Sequence, residues 1–286
     1  MTDPVSSKGP GLLARLARAR PTKPGEIYGV PGQGNTFWLS IASVLVLLFI
    51  WWLVTALGLV KPLFVPSPQS VVRKFIQIWN EGFTNTPFLE HVLISTLRVF
   101  GAFLLACLIG LPLGLAMGMS PLMRGIFDPP IEFYRPIPPL AYLPLMIIWF
   151  GIGETSKVLL IFLSVFAPIV LGARSGVKSA AIEQIHAAYS FGATRWQVMR
   201  HVILPSAMPE ILTAMRVGIG FGWTTLVAAE MVAATKGLGY MVLSASQFLQ
   251  TPVVIMGIFV IAIIAFGFDL LMRFLERRLV PWKGRM

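Results

Sequence analysis

Long uncharged apolar runs, broken by short polar stretches, dominate this chain. Residues 37–60, 99–123 and 237–268 carry no charged side chain. A helix needs about 20 apolar residues to cross the hydrocarbon layer. Each run therefore predicts one membrane-spanning helix, the third placed from Pro252 onward. Three further runs are weaker. Residues 136–153 hold Pro136, Pro138, Pro139 and Pro144, and 158–173 include Pro168. Residues 217–229 are short and extend back to Ile211 only if Arg216 is tolerated. Short or broken spans persist in a membrane only where protein or a water-filled cavity surrounds them. The three broken spans are thus expected to line something, and the three clean ones to face lipid more. Outside the spans, 67–81 alternates apolar and polar residues as an interfacial helix would. The stretch 176–208 is long for a connection and is also patterned.

Composition agrees with six spans and an all-α fold. Of 286 residues, 56% are hydrophobic and 12% charged, and mean hydropathy is +0.78. A soluble domain carries roughly 25% charged residues, so both a soluble enzyme and a disordered chain are excluded. The net charge of +11 changes the picture only through its placement. With an even number of spans, both termini share one side. Of 23 basic residues, 17 fall on that side, five on the other, and Arg98 at the end of the second span. The positive-inside rule then places both termini in the cytoplasm, and nucleic acid is not an expected partner. Residues 1–35 form a basic, Gly- and Pro-rich tail in which 12–20 could make a short amphipathic turn on anionic lipid. The spanning domain covers 36–278 and a cytoplasmic C-tail 279–286. The single cysteine, Cys107, permits no intrachain disulfide.

The cytoplasmic stretch reads His186-Ala187-Ala188, three residues, Gly192, nine residues, Val202, one residue, then Leu204-Pro205. Ala187 and Ala188 end one short helix, Gly192 supplies a turn, and Thr194 can cap the next helix. Such a helix–turn–helix is either a docking surface or a plain interfacial hairpin. The spacing resembles the EAA loop of ABC importer permeases, with His186 in place of the usual Glu. Tyr134-Arg135-Pro136-Ile137-Pro138-Pro139-Leu140-Ala141-Tyr142-Leu143-Pro144 and Trp149-Phe150-Gly151-Ile152-Gly153-Glu154 resemble the nitrate/sulfonate/taurine branch of that family. So do Gly222-Trp223, Leu226-Val227-Ala228-Ala229-Glu230, Gly237-Leu238-Gly239 and the closing Pro281-Trp282. Within the branch the likeness is greatest to the taurine type.

The resemblance implies a type I importer permease: a homodimer with the path between its copies, two cytoplasmic ATPase subunits, and a periplasmic binding protein, in the bacterial inner membrane. It implies taurine or a similar small alkanesulfonate as substrate. Nitrate, bicarbonate or an aromatic acid are the alternatives within the branch, and a stand-alone secondary transporter is the rival outside it. The coupling loop 176–205 would use His186, Ala187, Ala188, Gly192, Ala193, Thr194, Arg195, Trp196, Leu204 and Pro205. The chain has no G-x-x-x-x-G-K-[ST], so ATP and magnesium are expected on the partner ATPase, with no catalysis, cofactor or metal here. Charges at span ends are costly and often functional. Arg98, Arg135 and Glu230 are candidates for the pathway, with Tyr142, Trp149, Trp223 and Thr224 on the broken spans. Gly110, Gly114 and Gly118 form a small-residue face for close helix packing.

Overall fold

The computed structural model describes residues 37–282, which divide into two units between Pro68 and Gln69. The basic turn expected at 12–20 and residues 283–286 lie outside the described residues. In the first unit, α1 (Phe37–Ala56) is apolar on all sides and its side chains are mostly exposed. That is the character of a lipid-facing helix. Beyond it the chain turns back, and Trp51 Nε1 donates to the Pro66 carbonyl at 3.1 Å.

In the second unit, α2 (Pro68–Glu81) is the amphipathic helix foreseen at 67–81. It buries Val71 and Ile78 and sets Phe75 edge-on against Phe88, with centroids 5.6 Å apart. Then follow α3 (Phe88–Met119), α4 (Pro121–Tyr134), a 3-10 turn (Pro139–Tyr142), α5 (Leu143–Phe150) and α6 (Glu154–Val177). After these come α7 (Ile182–Ser190), α8 (Arg195–Val198), a π-helical turn (Met199–Ile203), α9 (Leu204–Ala233), α10 (Leu238–Gln247) and α11 (Thr251–Leu279). Among the described residues there is no strand, and five helices are long and apolar enough to cross a membrane. The predicted span at 136–153 is present as a sixth, broken element, the 3-10 turn followed by eight-residue α5.

Helix α6 packs along both α3 and α9. Their shared core is Val99, Ala102, Phe103 and Ala106 of α3, Ile161, Val165 and Ile169 of α6, and Ile219, Trp223 and Leu226 of α9. These positions recur every three or four residues, the spacing of one helix face. The expected small-residue face does pack closely. A Cβ on Gly114 would strike the Val170 carbonyl, and one on Gly118 would lie 2.5 Å from Val177 Cγ2. A second such face lies across α6, where Gly172 meets Ala214 and Gly176 meets Ala207 of α9.

One expectation changes. The second span begins at Phe88, so Arg98 sits inside α3 rather than at its end. The clean spans are less buried than the broken ones, at 0%, 39% and 17% for α1, α3 and α11 against 50% and 44% for the spans that include α6 and α9. Helix α3 is the most buried of the clean set, because its glycine face is spent on α6. The fourth span runs through Pro168 from Glu154 to Val177, and the fifth carries Arg216 in its interior. Arg216 is tolerated because Asp269 and Glu276 of α11 lie 3.7 Å from its guanidinium.

Candidate functional site

A cavity of about 460 Å³ opens where the broken segment meets α6 and α9. Proline lacks a backbone N–H. Pro136, Pro138 and Pro139 therefore supply no N–H to continue α4, whose C-cap Arg135 is still helical, and 136–138 form a short non-helical strip before the 3-10 turn. Opposite, Pro168 removes the donor that would pair with the Ser164 carbonyl four residues back, and both residues line the cavity. Tyr134 anchors the strip, its hydroxyl donating to the Leu163 carbonyl at 3.5 Å. The charged residues of the lining are Arg135 and Glu210, and Tyr142, Ser164 and Thr213 add hydroxyls.

A second polar cluster ties α3, α6 and the α9–α10 connection together. Arg98, 5% exposed, donates from Nε and Nη2 to the two Glu154 oxygens at 2.5 and 2.6 Å. Its Nη1 donates to Glu230 Oε1 at 2.7 Å and to the Lys236 carbonyl at 2.9 Å. Glu230 is fully buried and also accepts from Ser95 Oγ at 2.8 Å and from the Gly239 N–H at 2.8 Å. Ser95 in turn accepts from the Leu238 N–H at 2.8 Å. The Gly237 N–H donates to His91 Nδ1 at 3.0 Å, which leaves Nε2 to donate to the Phe83 carbonyl at 3.3 Å. Lys157 Nζ joins at 2.8 Å from Glu154. Gly237 has φ +130°, and a Cβ there would run into the Glu230 carboxylate. Every donor and charge is thus matched, as a buried polar network requires. Arg98 and Glu230 are held by each other and by the chain around them rather than presented to a passing solute.

The stretch 182–205 folds as two short helices around a tight turn. Helix α7 ends at Ser190 and Gly192 takes φ +80°. The Ala193 N–H bonds the Ala188 carbonyl at 3.0 Å, and the Gly192 N–H bonds the Tyr189 carbonyl at 2.9 Å. This paired closure is a Schellman motif with Gly192 in the left-handed position. It gives the Ala-Ala-x-x-x-Gly spacing a physical cause, since the second Ala supplies the third carbonyl from the helix end. Thr194 caps α8 through a reciprocal capping box with Gln197. Val198 is buried beneath, while Tyr189, Phe191 and Trp196 stand exposed, Phe191 at 93%. Ala187, Ala193 and Arg195 lie on the same hairpin, His186 on α7, and Leu204 and Pro205 open α9.

Of the other residues singled out from sequence, Tyr142 joins Arg135 in the cavity. Trp149 is exposed on α5. Trp223 is core-packed against Phe268, centroids 5.8 Å apart, and its Nε1 has no hydrogen-bond partner among the described residues. Thr224 is exposed and donates to the Phe221 carbonyl at 2.9 Å. Trp223 and Thr224 border a separate groove with Arg216 and Asp269. Sequence reasoning missed Glu210, Ser164 and Thr213 in the cavity, and His91 and Ser95 in the ionic cluster. The one local sign was a carboxylate directly after Pro209 at the head of an apolar run.

Residues 108–281 match the family described as "Binding-protein-dependent transport system inner membrane component". The taurine transport system permease protein TauC of Escherichia coli K12 is 56% identical over 249 residues, spanning 87% of this chain and 90% of the relative. A Bacillus subtilis 168 protein named for aliphatic sulfonate transport, SsuC, is 34% identical over 89% of this chain and 91% of its own. Among solved structures, a chain of the MetNI methionine ABC transporter in inward facing conformations superposes with a TM-score of 0.56 at 20% identity. It covers 68% of this chain and 94% of that one, and carries the fold alone. With well over half of its length matched and such identity across most of two full-length relatives, this chain belongs to the family of binding-protein-dependent transport system inner membrane components.

Proposed function

We propose that the chain is the permease subunit of an ATP-driven importer for taurine, working with a substrate-binding protein on one side of the membrane and an ATPase on the other. The observation that carries the substrate is the 56% identity to a taurine permease across most of both chains. The chain acts as a homodimer, with ATP and magnesium held by two ATPase subunits, and does no bond chemistry itself. The apolar crown of Tyr189, Phe191 and Trp196, raised on a capped and turn-locked hairpin, supports docking there rather than a plain interfacial hairpin. The bias of basic residues supports a cytoplasmic position for that hairpin and for both termini. ATP binding would close the ATPase dimer, and the docked hairpins would pass that motion to α9, biasing a two-state permease.

The test is uptake of radiolabelled taurine into proteoliposomes holding the permease, its ATPase and its binding protein. Uptake should need ATP and the binding protein. Uptake by the permease alone would mean a secondary transporter, and stimulation by nitrate or bicarbonate in place of taurine would reassign the substrate within the branch.

A further inference from the structure

Several charges within the spanning helices of this protein are held in ion pairs. Arg98 holds Glu154 and Glu230, and Lys157 holds Glu154. Arg174 pairs with Asp128 and Glu132, and Arg216 with Asp269 and Glu276. The 460 Å³ cavity brings one charge of each sign into a single lining. Arg135 on one wall and Glu210 on another have no ion pair with each other or with any other described residue. Both side chains are exposed, so each is open to a solute that enters the cavity. The rest of the lining supplies what a small polar solute needs: hydroxyls of Tyr142, Ser164 and Thr213, and the aromatic faces of Tyr134 and Phe221. The volume lies within the roughly 300–1,000 Å³ usual for small-molecule sites.

We infer that this cavity binds a short zwitterion, its anionic head on Arg135 and its ammonium on Glu210, so that Glu210 is the residue that separates aminoalkanesulfonates from plain anions. A guanidinium makes charge-assisted bonds to two oxygens of a sulfonate at once. Arg135 caps the end of α4, its N–H bonded to the Ile131 carbonyl at 3.1 Å, so its backbone is set before a ligand arrives. An ammonium needs an opposite charge and gains from aromatic faces, and Glu210 with Tyr134 and Phe221 provides both. A plain alkanesulfonate, nitrate or bicarbonate would satisfy Arg135 and leave the Glu210 carboxylate facing a net negative solute. The inference rests on taurine, an aminoalkanesulfonate, being the cargo.

The experiment is equilibrium dialysis of the purified permease–ATPase complex, without binding protein, against radiolabelled taurine and, separately, ethanesulfonate. The native complex should retain taurine at least about tenfold better than ethanesulfonate, a difference of about 1.4 kcal/mol. Glu210→Gln should erase that preference by weakening taurine alone, Glu210→Asp should restore part of it, and Arg135→Gln should weaken both ligands. Co-purification of the ATPase with each variant checks folding. Equal preference in native and Glu210→Gln complexes, or no taurine retained by the native complex, would overturn the inference. If the complete importer still moves taurine into vesicles in that case, the substrate reading stands and only the cavity assignment falls. If it moves no taurine, the substrate reading itself fails.

Discussion

Glu230 has no exposed surface, and its carboxylate accepts from Arg98, Ser95 and the Gly239 N–H. Removing one partner of a buried pair leaves the other charge unmatched, at about 3–5 kcal/mol. Glu230→Leu should therefore destabilise the permease by about that amount, read as a lowered thermal midpoint in detergent. Arg98→Lys should lose less, because an ammonium reaches Glu230 but cannot span both Glu154 oxygens. Equal midpoints for Glu230→Leu and the native protein would mean that the cluster does not hold α3 to α9. Gly192 fails differently. Nothing lies within 4 Å of a Cβ placed there, so only its φ of +80° resists a side chain. Gly192→Ala should cost about 1–2 kcal/mol of local order in the hairpin. Gly192→Asp adds a charge at the same strained turn and should uncouple ATP hydrolysis from uptake while the midpoint of the helices stays put. Normal uptake with full ATPase co-purification would instead remove the hairpin from coupling.

Helix α6 meets small residues on two sides, Gly110, Gly114 and Gly118 of α3 and Ala207 and Ala214 of α9. Lipid tails are as apolar as leucine, so such helices associate through close van der Waals packing. A pair of substitutions within α3 isolates this. Gly114→Leu would drive its side chain into the Val170 backbone, whereas Gly101→Leu meets open space. The first should lower stability by about 3 kcal/mol. The second should be neutral or gain up to about 1 kcal/mol in helix propensity. Similar thermal midpoints for the two would show that α3 and α6 do not pack through this face. Gly110, Gly114 and Gly118, the interfacial pattern of α2 and the apolar runs were legible because helix periodicity writes them locally in the sequence. The true start of α3 was hidden. Glu90, His91 and Arg98 look like the polar flank of a span until their partners are known. Arg98 finds Glu154 56 residues away and Glu230 132 away, and no local pattern records such pairing. The cavity was half legible. Proline clustering marked the strip between Arg135 and Tyr142, but Glu210 reaches it only because α9 folds back across α6.

At the scale of the molecule, charge bias and hairpin architecture make one joint claim: the face bearing 182–205 is where basic residues concentrate and where the ATPase docks. Cys107 is the only cysteine, so Cys107→Ala gives a clean background for placing single thiols. Gln77→Cys would sit on the exposed side of α2, and Phe191→Cys on the tip of the hairpin. If the hairpin is cytoplasmic, a membrane-impermeant maleimide added to spheroplasts should label position 77 and leave 191 untouched until the membrane is opened. The reverse pattern would invert the topology. Co-expression of the ATPase should then shield position 191 in opened membranes by at least about fivefold while 77 stays reactive, because a docked apolar residue is desolvated at the centre of an interface. Labelling at 191 that ignores the ATPase would place docking elsewhere, even with the orientation upheld. The two readouts separate the claims because orientation follows from where charges sit along the whole chain, whereas docking depends on the few side chains that Gly192 and the Thr194 cap hold outward.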